Sequence, residues 1–176
     1  MQYKYLNNWL NERVLKAYDY RTKLSVIDKN SLTNKLTSKT DNNFTVNIIT
    51  QSTILSKKLN SKNVLCNISQ AGVYRKVSLT TKHYPSIEAH TFMLVKHING
   101  KDRFIKILGR RSLGTYILNT KRYSKITTKY EIIHGNIHRI SIYKNGNKKI
   151  YVNEIFPKIF KLENISYLQA RGEFTK

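Results

Sequence analysis

From Val73 to Leu79 apolar and polar residues alternate, with Val73, Val77 and Leu79 on one side and Tyr74, Lys76 and Ser78 on the other. Arg75 breaks the pattern by falling in register with the apolar set. From Ile150 to Phe156 the same occurs with opposite charge, because Glu154 shares its side with Ile150, Val152 and Phe156. Side chains alternate faces along a strand with period two, so both charges are predicted to point inward. A lone buried charge is costly, and it is tolerated when it is paired or when it meets a ligand. Arg75 and Glu154 on inner faces suggest an interior site for a small, negatively charged molecule that forms hydrogen bonds.

The remaining pattern predicts the framework. Leu6, Trp9, Leu10 and Val14 recur at helical spacing, so an amphipathic helix is expected over 3–18. Several capping residues between Asp28 and Asn34 precede a short helix. Phe44 to Thr50 is rich in β-branched residues and reads as a strand, whereas 53–70 is polar and ambiguous. The Arg75 strand is followed by a turn at His83-Tyr84-Pro85-Ser86 and an antiparallel strand from Ile87 to Val95. Asp102 is placed to cap a short helix that carries Phe104, Ile105 and Leu108 and stops at Gly109, and Ser112 to cap another from Leu113 to Leu118. Asn145-Gly146, between the runs 139–143 and 150–156, signals a tight hairpin. Pro157 ends the last strand. Hairpin-length connections with helices in separate blocks give an α+β fold, a single antiparallel sheet with flanking helices.

The 176 residues are read as a single domain, with a helical lead-in over 1–27, a core over 28–158 and a C-terminal extension over 159–176. The net charge is +22, and only ten acidic residues are present. Such a charge raises nucleic acid as a partner. However, the basic residues are scattered as pairs such as Lys57-Lys58 and Lys121-Arg122, and no run of five marks a nucleic-acid arm. Abundant Lys, Asn and Ile is the bias of an AT-rich genome, such as that of an organelle or endosymbiont. A single cysteine, Cys66, forbids an internal disulfide and fits a reducing compartment. No stretch has transmembrane length, and the N-terminus lacks the apolar core of a signal peptide. Asn-X-Ser/Thr triplets at Asn43, Asn67 and Asn164 carry no weight without a secretory signal.

Of the five histidines, His134 and His138 are four apart, but no carboxylate or cysteine completes a metal set. Gly109-Arg110-Arg111-Ser112-Leu113-Gly114 lacks the Gly-Lys-Ser/Thr ending of a phosphate loop. An enzyme here would work without metal or organic cofactor.

Read in order, Ser31-Leu32-Thr33, the strand 44–51, Tyr74-Arg75-Lys76-Val77, the run Leu108 to Tyr116, and Asn153-Glu154-Ile155-Phe156-Pro157 resemble the chorismate lyases, especially the chorismate-lyase-like proteins of algal plastid genomes. The resemblance covers 28–158. It implies an antiparallel sheet whose helices cover an internal ligand cavity, and conversion of chorismate to 4-hydroxybenzoate and pyruvate. It implies that Arg75 holds the ring carboxylate and that Glu154 meets the ring hydroxyl as the catalytic acid or base. It also implies that Leu32, Leu113 (partly through its backbone) and Gly114 line the cavity, with Ala89 and His90 beside the ligand. His90 stands where the bacterial enzymes carry arginine, and Leu94 where they carry proline. A monomer is expected, with no membrane and no specific nucleic acid as partner. Its place would be the plastid stroma if organelle-encoded, or else the bacterial cytoplasm. Two other readings stay open: a non-catalytic sensor or carrier domain of the same fold, and a basic nucleic-acid-binding protein. Arg75 and Glu154 could also simply pair with each other, and a one-residue slip of either strand would expose its charge.

Overall fold

The computed structural model describes residues 12–18, 20–27, 32–39, 44–56, 69–82 and 84–161. Six strands, β1 (Thr45–Leu55), β2 (Ala71–Thr80), β3 (Ile87–Leu94), β4 (Ser124–Ile133), β5 (Asn136–Asn145) and β6 (Lys148–Phe156), form one antiparallel sheet in the order β1-β2-β3-β6-β5-β4. The α+β expectation holds, and β6 lies between β3 and β5, which places Glu154 at the middle of the sheet.

Two tight turns set the register of the C-terminal half. His134-Gly135 joins β4 to β5 with φ of 50° and 78°, and Ile133 pairs with Asn136 across it. Positive φ at both loop positions matches the right-handed twist of the flanking strands. The β5–β6 turn falls one residue later than the Asn-Gly signal suggests. Asn145 pairs with Lys148, so the loop is Gly146-Asn147, with Gly146 at φ 55°. Gly72 marks a close approach of another kind. A Cβ there would lie 2.1 Å from the Phe92 ring and 2.9 Å from the Met93 carbonyl oxygen.

The helices are α1 (Tyr20–Ile27), α2 (Leu32–Lys39) and α3 (Leu113–Thr120), with 3-10 segments at Glu12–Ala17 and Gly100–Ile107. Of the helix expected over 3–18, only the last part is described, and it is a 3-10 turn burying Leu15. Leu6, Trp9, Leu10, Cys66, His83, the caps at 28–31 and most of 159–176 lie outside the described residues. Ser112 caps α3 as expected: its Oγ accepts from the Thr115 N–H at 3.5 Å. Asp102 is not a cap. It is fully buried and accepts from Arg122 at 3.1 Å, Lys148 at 2.6 Å and the Tyr116 hydroxyl at 3.3 Å. Two cations outweigh what one helix end could offer a carboxylate, so Asp102 ties α3 and the β5–β6 hairpin together.

The inner face of the sheet carries two apolar clusters. Leu79, Ile87, Ile137 and Phe156 pack with Val26, Leu32 and Leu36 of α1 and α2. Val73, Met93 and Ile150 pack with Ile105, Leu113 and Ile117 of the 3-10 segment and α3. Between them run the two cross-strand rows that hold Arg75 and Glu154. The outer face is buried as well, at Phe92, Ile142 and Tyr151.

Candidate active site

A pocket of about 180 Å³ opens between the two apolar clusters. Leu32, Arg75, Ala89, Leu113, Gly114 and Glu154 all line it, although they come from α2, β2, β3, α3 and β6. The volume lies below the range typical of pockets for drug-sized ligands, so the natural scale is a single small ring. A broader groove of about 660 Å³ adjoins it and shares Thr33, Val46 and Ser112. The Thr33 and Ser112 hydroxyls meet at 2.5 Å on that shared wall.

Arg75 is 3% exposed, and its hydrogen bonds go to neutral oxygens. Nη1 donates to Gln51 Oε1 at 2.8 Å and Nη2 to the Arg111 carbonyl at 3.1 Å. No carboxylate pairs with it among the described residues, and burial lowers its pKa. A buried guanidinium lacking a counter-ion is a site prepared for an anion. Gln51 reaches it because β1 bulges. The register slips between Ile48 and Thr50, so Gln51, which regular alternation would turn outward, stands opposite Arg75 on the inner face.

Glu154 pairs not with Arg75 but with Arg139, directly across on β5. Arg139 Nε donates to Glu154 Oε2 at 2.6 Å, and its Nη1 to the Val26 carbonyl of α1 at 2.6 Å. The guanidinium also lies 5.1 Å from the Phe156 ring centroid. Burial would lower the Arg139 pKa, but the Glu154 carboxylate outweighs it and holds Arg139 above its ordinary value. Glu154 Oε1 receives no donor among the described residues. The alternative that Arg75 and Glu154 simply pair with each other does not hold: Glu154 pairs with Arg139, and Arg75 meets neutral oxygens.

His90 is a correction. It is buried on the outer face, because its neighbours Ala89 and Thr91 occupy the pocket side and adjacent strand residues cannot share a face. Its Nδ1 meets the Tyr74 hydroxyl at 2.9 Å and its Nε2 meets Glu88 at 3.1 Å, while burial lowers its pKa. Leu94 is likewise part of the outer-face cluster. His138 also lies on that side, near Asn153 at 3.4 Å, and His134 sits in the β4–β5 turn.

Several pocket residues were not singled out by sequence reasoning: Thr91, Tyr123, Lys125, Arg139, Tyr143 and Val152. Burial, and next the Glu154 charge, raise the pKa of Tyr143, so its phenol stays protonated and able to donate. In Arg139-Ile140-Ser141-Ile142-Tyr143 alternation would have sent the two isoleucines inward. Both faces of β5 are buried here, so the apolar side does not identify the pocket side.

The family profile described as Chorismate lyase matches residues 6–165. The chain belongs to the chorismate lyase family. No curated protein matches it. Among solved structures, the chain is similar to a GntR-family transcriptional regulator from Bacillus cereus, at 12% identity and TM-score 0.47, covering 70% of this chain and 98% of that one. It is also similar to YydK, described as a possible transcriptional regulator, from Bacillus subtilis subsp. subtilis str. 168, at 10% identity and TM-score 0.46, covering 70% and 63%. Within the chorismate lyase family assignment, no helix among the described residues is long and apolar enough to cross a membrane.

Proposed function

We propose that the pocket binds chorismate and releases 4-hydroxybenzoate and pyruvate. The observation that carries this reading is the buried Arg75 with neutral partners, facing the same small pocket as a carboxylate whose Oε1 receives no donor among the described residues. An aromatic-acid ring with a carboxylate at one end and a hydroxyl at the other meets both requirements. Arg75 takes the ring carboxylate through charge-assisted hydrogen bonds. Glu154 accepts from the ring hydroxyl.

In the reaction the ether bond at ring carbon 3 breaks and the hydrogen at carbon 4 leaves as a proton. The proton ends on the departing enolpyruvyl group, which becomes pyruvate, and the ring becomes aromatic. Much of the driving force is the substrate's own aromatisation. The protein's part is to hold the ring, orient the ether against the carbon 4 hydrogen and keep water away. Arg139 is a positioning residue: it fixes Glu154 Oε2 and anchors the pair to α1 through the Val26 carbonyl.

The test is calorimetric titration of 4-hydroxybenzoate into the wild type and Arg75→Met. Binding that depends on Arg75 supports the reading, and equal affinity in a folded variant refutes it. A non-catalytic aromatic-acid carrier would bind in the same way and differ only in failing to turn chorismate over.

A further inference from the structure

The 3-10 segment Gly100–Ile107 is followed by a turn at Gly109, with φ of 57°, and then by Arg110 and Arg111. A 3-10 helix has about three residues per turn, so side chains three apart stack in one row. Asp102 and Ile105, continued by Leu108, form the buried row. The other two rows face outward. One holds Lys101, Phe104 and Ile107, and the other holds Arg103 and Lys106.

Ile107 is 74% exposed, more than any other large apolar side chain among the described residues. A single exposed isoleucine is ordinary on a protein surface. Its setting is not. Lys101, Arg103, Lys106, Arg110 and Arg111 are all exposed on the same short stretch, and among the described residues none of these side chains forms an ion pair. The one acid of the stretch, Asp102, is fully buried and already matched by Arg122 and Lys148. The Arg111 guanidinium lies 5.4 Å from the Phe104 ring centroid, and Phe104 stacks on Tyr116 at 5.4 Å, so the turn at Gly109 folds an arginine back onto the apolar row. The result is an apolar tip among cations, with no acidic group left on the segment to answer them.

We infer that this segment is an interaction surface for an anionic lipid bilayer, on which the protein docks peripherally. Lipid phosphates answer the cations, and Ile107 enters the boundary between headgroups and acyl chains. The combination selects this partner. Nucleic acid would satisfy the cations, but a phosphate backbone offers Ile107 nothing. An apolar protein surface would cover Ile107 and strip water from cations that it leaves unpaired. The inference departs from the expectation of no membrane partner, since docking of this kind needs no spanning helix. Phe104, Leu108, Arg110 and Arg111 also line the groove of about 660 Å³, so the docked protein holds that groove beside the headgroups, whichever ligand the pocket takes.

The test is cosedimentation of the full chain with vesicles of equal parts phosphatidylglycerol and phosphatidylcholine, and with vesicles of phosphatidylcholine alone. Wild type is compared with Ile107→Ser, with the double variant Arg103→Gln/Lys106→Gln, and with a control double variant, Lys82→Gln/Lys158→Gln, which removes the same charge from exposed lysines elsewhere. All these side chains are exposed, and circular dichroism checks that each variant is folded. The expected result is binding to the anionic vesicles only, weakened about tenfold or more by Ile107→Ser and by the Arg103/Lys106 pair, with the control within about twofold of wild type. A wild type that binds neither vesicle, or both equally, overturns the inference. So does an unchanged Ile107→Ser, or a control that loses as much as the Arg103/Lys106 pair, because either result reduces the effect to general attraction by a chain of net charge +22. Tighter binding to a DNA duplex than to the vesicles, lost with the Arg103/Lys106 pair and kept by Ile107→Ser, would give the surface to nucleic acid and overturn it as well.

Discussion

Replacing Arg139 with methionine would expose how the site is held. Methionine roughly fills the side-chain volume but removes the 2.6 Å contact to Glu154 and the 2.6 Å contact to the Val26 carbonyl. Glu154 is only 14% exposed in its side chain, so its charge would be left in a largely dry setting. Breaking one side of a buried ion pair costs about 3–5 kcal/mol, because the remaining charge goes uncompensated. Glu154→Gln should cost less, about 1–3 kcal/mol, since Arg139 keeps a neutral acceptor and the Val26 carbonyl. The double variant should be more stable than the sum of the two losses predicts, by about 2 kcal/mol, because the orphaned charge is gone. Urea unfolding followed by far-ultraviolet circular dichroism, on all four proteins, measures the cycle. Arg139→Met within about 1 kcal/mol of the wild type, together with additive single losses, would refute the view that this pair organises the pocket.

Arg75→Ala should weaken 4-hydroxybenzoate binding by about 2–5 kcal/mol, measured by calorimetry on folded protein. Glu154→Gln should still bind that ligand but turn chorismate over poorly, which steady-state kinetics resolves as a loss in kcat rather than in KM. Gly72→Ala should destabilise the fold by about 1–3 kcal/mol, read by thermal unfolding, because the new methyl meets the buried Phe92 ring. Burial, with the His90 charge adding to it, holds His138 down to about 4 from an ordinary 6.5. The unfolded chain therefore takes up that proton below pH 6.5 while the folded chain resists until about 4. Stability should be full above 6.5 and fall by about 3 kcal/mol as the pH drops through that window, and a flat stability profile from pH 7 to 4 would contradict it.

The sequence made Arg75 and Glu154 visible because each interrupts an otherwise regular alternation, and regular strands do carry them to one pocket. The hairpin at 145–147, the cap at Ser112 and the antiparallel sheet were legible from local chemistry. Gln51 and Lys125 were not, since Gln51 reaches Arg75 and Lys125 reaches the pocket lining through a bulge, and a bulge is a feature of the pairing between strands rather than of one strand's composition. Arg139 was hidden for another reason. Both sides of β5 are buried, so polar and apolar positions no longer report inside and outside. His90, which the resemblance put beside the ligand, is enclosed on the outer face instead. Asp102 stood in a plausible capping position, while its partners, Arg122 and Lys148, are 20 and 46 residues away in sequence.

The central claim is that Arg75 and Glu154 form a working lyase site. It is tested most directly by incubating the purified protein with chorismate and following 4-hydroxybenzoate and pyruvate together by chromatography, with Glu154→Gln alongside. The account predicts both products in equal amounts from the wild type, above the spontaneous rate, and little from the variant. Absence of both products from folded wild type, or equal yields from wild type and Glu154→Gln, would contradict it.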